Sequence, residues 1–218
     1  MNWKHLRVCP GLDTRAKFLA SVPKNGRLLD VGSSDGETLR HFHEMRPDLE
    51  YYATDLEGNP DNYPENCRYH QGDLNQDPLP WDDGSLDAVS CMHLIEHLED
   101  LTLFLTEVSR LLKPGGRAYF ETPHPKTLTV PSASGSAAGT FTLNFYDDLT
   151  HTRIVSMGAL AQQLRRNKLA IHNSGTSRNW LFALAYPFFA LLPASRQKFT
   201  SKIHFIGWSA YLIAEKPR

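Results

Sequence analysis

The chain has 218 residues, a formal net charge of -1 and an isoelectric point of about 6.8. Near-neutral charge leaves no electrostatic footprint for a nucleic-acid binder. Cys9, Cys67 and Cys91 make neither a metal-ligand spacing nor an even-numbered framework, which points to a reducing compartment.

The first residues lack the apolar core of a secretory signal, and no run reaches the roughly 18 apolar residues of a spanning helix. The expectation is a single cytoplasmic domain over 1–218. In chain order, a short helix is predicted over 14–20, ended by Pro23-Lys24-Asn25-Gly26. A strand over 27–31 carries Asp30 near its end, and Gly32-Ser33-Ser34-Asp35-Gly36 leads into a helix over about 36–46 that Pro47 stops. Strand, glycine-containing turn and helix N-terminus bring backbone N–H groups and the helix dipole to one place. Glycine there supplies φ > 0 or lets a ligand come close.

A second strand over 50–54 is closed by Asp55, and a weak third over 67–71 precedes Asp73. A buried fourth strand covers 85–91. Leu101, Leu105, Val108 and Leu112 then fall at helical spacing over 101–112. After the Lys113-Pro114-Gly115-Gly116 turn, a fifth strand covers 117–121. Strands alternating with helices predict an α/β fold, a parallel sheet covered on both faces with ligands at the carboxyl ends of its strands.

Beyond Glu121 lies a long loop, 122–150, whose middle reads PSASGSAAGT; such a loop suits a lid or binding segment. A helix over 156–166, a sixth strand over 169–173 and a seventh over 205–214 complete the pattern. The connection 175–203 contains WLFALAYPFFALLP, too short to cross a bilayer and interrupted by Pro187. Arg178 precedes this apolar stretch, and Arg196, Lys198 and Lys202 follow it. Three readings stay open: a core-packing helical insert, an interfacial hairpin across 178–202 at the inner face of a membrane, or a homodimer contact.

LLDVGSSDGETL, YYATDLEGNP, GDLNQDPLPWDDGSLDAVSCMHLIEHLED and LTEVSRLLKPGGRAYFETP, in this order, resemble the class I S-adenosylmethionine-dependent methyltransferases over about 27–121. The resemblance implies a three-layer Rossmann-like fold with strand order 3-2-1-4-5-7-6 and an antiparallel last strand. The stretch 27–121 would be the cofactor-binding core, with 122–150 and 175–203 as lid or cap. It implies S-adenosylmethionine as cofactor and S-adenosylhomocysteine as product. Gly32, Ser33, Ser34 and Gly36 would shape the turn under the methionine part, with Asp30 beneath. Asp55 would accept the ribose hydroxyls with Leu56 beside it, Asp73 would accept the adenine amino group with Leu74 against the ring, and Met92 and His93 would line the reacting side. Ser34 stands where the family has glycine, which is acceptable if its backbone stays at φ < 0. A dinucleotide-binding dehydrogenase shares the Gly-x-x-x-Gly turn but not LKPGGRAYF or the antiparallel last strand.

His93-Leu94-Ile95-Glu96-His97 spells a zinc-protease pattern, but it begins where strand four ends and not on a helix. It is similar to the Glu-x-x-Glu-His segment with which some O-methyltransferases, small-RNA and ubiquinone-pathway enzymes among them, hold a divalent cation near the acceptor hydroxyl. His93 in place of an acid argues against magnesium, and two imidazoles suit zinc or iron better. A divalent metal is not the favoured reading; Glu96 and His97 are expected to begin the next helix. His97 is a candidate general base. So is His151 in NFYDDLTHTRIVS, a segment that resembles one in methyltransferases of bacterial polysaccharide and natural-product clusters; equally, Asp147, Asp148 and Thr150 there suit a capping loop.

The expected activity is in-line methyl transfer to a hydroxyl of a small molecule or of a glycan or lipid-linked intermediate, with nitrogen or carbon as the alternative acceptor atom. Positioning supplies most of such catalysis. The alternative class is a noncatalytic cofactor-binding regulator or partner subunit, distinguished by binding without turnover.

Overall fold

The computed structural model describes residues 3–132 and 142–218. The middle of the loop over 122–150 therefore lies outside the described residues. Seven strands form one sheet in the order β3-β2-β1-β4-β5-β7-β6. They are β1 (Arg27–Val31), β2 (Glu50–Asp55), β3 (Arg68–Gln71), β4 (Leu86–Met92), β5 (Leu112–Pro123), β6 (Ala170–Thr176) and β7 (Ser209–Glu215). β1 to β5 pair in parallel, whereas β7 runs antiparallel to both β5 and β6, so order and final strand are as expected.

Alternation along the strands builds two cores. Leu29, Val31, Val89, Cys91, Ala118, Phe120 and Leu212 point to the face covered by α3 (Thr102–Leu111) and α4 (Met157–Arg166). Leu28, Tyr51, Ala88, Tyr119 and Ile213 point to the face covered by α1 (Thr14–Ala20) and α2 (Glu37–Met45). Asp13 caps α1, its Oδ1 accepting from Arg15 N and Ala16 N at 2.9 Å each, and Ser156 caps α4. α3 runs straight into β5 with no intervening loop, Leu112 being both its C-cap and the first strand residue.

The end of the chain departs from expectation. The sixth strand extends to Thr176, and the seventh begins at Ser209, so Phe205 belongs to a helix and not to a strand. The long connection is a helical hairpin, α5 (Trp180–Phe189) and α6 (Arg196–Ile206). Aromatic and aliphatic residues crowded together over 203–206 read as strand in isolation, but Ser195 caps a helix that carries them through to Gly207. Glu96 and His97 do not begin a helix either: they sit in a turn, and α3 starts at Thr102.

Arg46, at the C-cap of α2, clamps the helix-side layer. Its guanidinium pairs with both oxygens of Asp48 at 2.8 Å and donates to the carbonyls of Leu19, Val22 and Pro23, closing the end of α1. The Arg46 hydrogen bonds hold the Asp48 carboxyl below the usual carboxylate range. Its contribution is therefore present above the unfolded pKa near 4 and is lost as pH falls further, through the folded value. Arg46→Ala is expected to lower unfolding free energy by about 2 kcal/mol in urea titration. Arg46→Lys should restore only part, because an ammonium cannot make the forked contact. A loss under about 0.5 kcal/mol would show that the clamp is not needed.

Candidate active site

The turn after β1 is built on positive φ. Gly32 and Gly36 lie at φ 73° and 74°, and Ser34, contrary to the expectation of a negative angle, lies at 47°. Its left-handed conformation is held from two sides: Ser34 N donates to Asp55 Oδ2 at 2.8 Å, and Tyr63 Oη donates to the Ser34 carbonyl at 2.9 Å. The space that side chains would need at the glycines is taken by protein. A Cβ at Gly32 would come within 3.0 Å of Leu94, and one at Gly36 within 2.7 Å of the Tyr63 ring. These glycines are thus required by backbone angle and by close packing of Leu94 and Tyr63, not by an approaching ligand at their Cβ positions.

Asp55 closes β2 beside this turn. Each of its oxygens accepts one backbone N–H, from Ser34 and from Glu57, which leaves each a further lone pair. Leu56 beside it is exposed, while Leu74 and Met92 are buried. Asp73 accepts from Asn75 and Gln76 within its own loop. Asp30 is buried next to Ser90, whose hydroxyl donates to it; burial raises its pKa to about 7. A turn of left-handed residues, two carboxylates at neighbouring strand ends with free lone pairs, and an exposed leucine form a donor and acceptor set that fits a nucleoside with an attached amino acid.

A cavity of about 770 Å³ begins at Glu37 and Thr38 in the first turn of α2 and runs over the carboxyl ends of β4 and β5. On its floor lies Glu121, 1% exposed. Arg15 from α1 meets both its oxygens, at 2.7 and 3.1 Å; Ser177 donates at 2.8 Å, and the Tyr119 hydroxyl also donates to it. Burial would raise the Glu121 pKa, but the charge of Arg15 and hydrogen bonds from His93 and Arg15 hold it well below the usual range. His93, at φ 52°, bridges Glu121 (3.4 Å) and Glu96 (3.2 Å). Lost hydration opposes its charge, yet the bonds to Glu121 and Glu96 raise its pKa to about 9. His93 is therefore a cation tied between two carboxylates and has no lone pair to act as a base.

His97 and His151, far apart in sequence, face each other with ring centroids 4.9 Å apart. His151 Nδ1 lies 2.6 Å from the Phe145 carbonyl, and His97 Nδ1 lies 3.2 Å from the Thr150 carbonyl. A carbonyl can only accept, and the Thr150 hydroxyl, 3.0 Å from His97 Nδ1, already donates to Asp148, so both Nδ1 atoms carry a proton; in the neutral form of each ring Nε2 then keeps the lone pair, with Asp148 Oδ2 3.8 Å from that of His151. With the buried Glu96, their ligand-type atoms lie within 4.8 Å of one another, a group among the described residues able to hold a metal ion.

The structure thus brings His93, His97 and His151 to one cavity and sets Asp55 and Asp73 at the neighbouring strand ends. Arg15, Glu121 and Ser177 were not legible as site residues. Glu121 carried one usable signal, an ionisable residue directly after the apolar run Ala118-Tyr119-Phe120; Arg15, in an unremarkable short helix, carried none.

The sequence profile of the methyltransferase domain family matches residues 3–173. A demethylmenaquinone methyltransferase from Deinococcus radiodurans is 31% identical over 139 residues, 60% of this chain and 53% of the relative. A ubiquinone biosynthesis O-methyltransferase from Xanthomonas oryzae is 49% identical over 39 residues, 18% of this chain and 16% of the relative. The matched stretches thus span about half, or less, of the length of these curated relatives. An S-adenosylmethionine dependent methyltransferase from Mesorhizobium loti shares the fold, with a TM-score of 0.63 at 21% identity over 92% of this chain and 97% of the other. Matched over most of its length by that profile, the chain belongs to the methyltransferase domain family.

Proposed function

We propose that the protein transfers a methyl group from S-adenosylmethionine to a hydroxyl of a small molecule or of a glycan or lipid-linked intermediate. The observation that carries the oxygen preference is the pair of imidazoles whose Nε2 lone pairs share one cavity. S-adenosylmethionine supplies a methyl group on a sulfonium, already activated for displacement. Asp55 and Asp73 would hold the nucleoside, and the turn over 32–36 with Asp30 its amino-acid part. His151, or His97 across from it, takes the hydroxyl proton on Nε2 as the new oxygen–carbon bond forms and the sulfur–carbon bond breaks. The fixed tautomers give the base a defined direction before the acceptor arrives. One relative is named as a demethylmenaquinone methyltransferase and another as a ubiquinone biosynthesis O-methyltransferase, so a ring hydroxyl of a quinone precursor is the first small acceptor to test.

A second reading rests on the same residues: Glu96, His97 and His151 hold a divalent ion, with zinc the best match to two nitrogens and one carboxylate. The Nδ1 bonds to carbonyls are the arrangement that orients metal-bound imidazoles. The ion would then bind the acceptor oxygen and lower its pKa.

In calorimetric titration the protein is expected to bind S-adenosylmethionine and S-adenosylhomocysteine, and Asp55→Ala to weaken both by about tenfold or more. A folded protein with no binding would overturn the cofactor assignment. Given an acceptor, His151→Ala or His97→Ala should cut kcat by roughly 10²–10⁴ with cofactor affinity intact. Binding without turnover over quinol, phenol and glycan acceptors would favour the regulatory alternative. Chelation separates the remaining two: activity lost to EDTA and restored by zinc assigns the metal, and activity indifferent to EDTA assigns the free base.

A further inference from the structure

The α5–α6 hairpin has two unlike faces. Inward, Phe182, Phe199, Ile203 and His204 line the cavity. Outward, Trp180, Leu184, Phe188 and Leu191 recur at helical spacing and are 48%, 75%, 66% and 86% exposed. No charged residue occurs over 179–195. The root of the hairpin is fixed by polar bonds: Asn179 caps α5 and makes a buried bond to Asp13 Oδ2 at 2.9 Å, while Thr14 N donates to the Arg178 carbonyl and Arg178 N to Thr14 Oγ1. A rigid root therefore carries a bare apolar stripe.

The charge around the stripe says what can cover it. Over 178–202 the sequence contains four Lys and Arg residues and not one Asp or Glu, although the whole chain is net -1; Arg196 pairs with Glu37 of α2. Arg178 stands at the start of α5 with its guanidinium over Trp180, and Lys198 and Lys202 stand on α6. A second copy packed on this face by twofold symmetry would bring the same cations together with no carboxylate from the segment to pair them. Apolar residues flanked by lysine and arginine, with tryptophan at one end, match the interface of a bilayer that carries anionic headgroups. No helix among the described residues is long and apolar enough to cross a membrane, so the contact is interfacial.

We propose that the outer face of α5–α6 docks the protein onto anionic lipid bilayers, placing one wall of the cavity at the lipid surface. Resting on the methyl-transfer reading, this favours acceptors with a lipid tail, delivered from the bilayer to the cavity behind the hairpin. The docking itself does not depend on that reading, and its test needs no turnover.

The test is flotation of the full chain with phosphatidylcholine vesicles, with or without about a third phosphatidylglycerol, at low and high salt. The expected result is binding to the anionic vesicles, weakened by salt. Leu184→Glu with Phe188→Glu should lower it at least tenfold, and Lys202→Glu should lower it severalfold. Both positions of the double variant are exposed, and cofactor titration and circular dichroism report whether its fold is intact. Absence of anionic-vesicle binding at low salt would overturn the proposal, as would equal binding by the folded double variant. Sedimentation equilibrium without lipid gives the remaining outcome: a wild-type dimer that the double variant breaks would assign the stripe to a second copy and also overturn it. Vesicle binding by a protein that binds no S-adenosylmethionine would keep the docking surface while removing the methyl-transfer reading.

Discussion

The site depends on one buried carboxylate. Glu121 lies near the end of β5 under the cavity, and an ionised group there is tolerable only with full compensation. Arg15 gives it a two-toothed partner from α1, His93 a cation from the end of β4, and Ser177 and Tyr119 hydroxyls from β6's continuation and from β5 itself. Four elements separated in sequence are thereby tied to one point. Removing one partner of such a pair costs roughly 3–5 kcal/mol, far more than an exposed ion pair contributes. The network is therefore better understood as a constraint on geometry than as a surplus of stability.

That constraint propagates into the turn that holds the proposed base. His93, pulled toward Glu121 and Glu96, takes a left-handed backbone conformation that few side chains adopt without compensation. The chain then folds into the turn of 95–97, with Glu96 buried and its Oε2 accepting from Thr122. The Glu96 carbonyl accepts from both N and Oγ1 of Thr152. These two bonds tie Thr152 to the turn after β4, which is why His151 faces His97. The pairing of the two histidines is a consequence of polar bonds made by their neighbours.

This explains what could be read in advance. The sheet was legible because alternation, turn residues and strand–helix periodicity are local properties that add up over many residues, and β1 and α1 match at both ends. The start of the last strand was not, because residues around Phe205 suit a strand by composition and a helix by their cap, and the Ser195 cap prevailed. The individual histidines were legible as reactive groups. Their shared tautomer, the cationic state of His93 and the role of Arg15 arise from contacts between distant segments, which no spacing encodes.

Ser34 shows how such contacts overrule a motif. A non-glycine residue in the left-handed region costs roughly 1–2 kcal/mol. The hydrogen bond from Ser34 N to a carboxylate contributes on the order of 1.5–3 kcal/mol, and the Tyr63 bond to its carbonyl about 1 kcal/mol more. The two together offset the strain, so glycine is dispensable here because Asp55 and Tyr63 are in place. Asp55 then stands in two relations at once: each of its oxygens keeps a further lone pair, and its bond to Ser34 fixes the turn against which a ligand would lie. Loss of Asp55 would loosen the turn as well as remove an acceptor, whereas loss of Tyr63 would loosen the turn alone. The difference between those two substitutions separates the shape of the site from its chemistry.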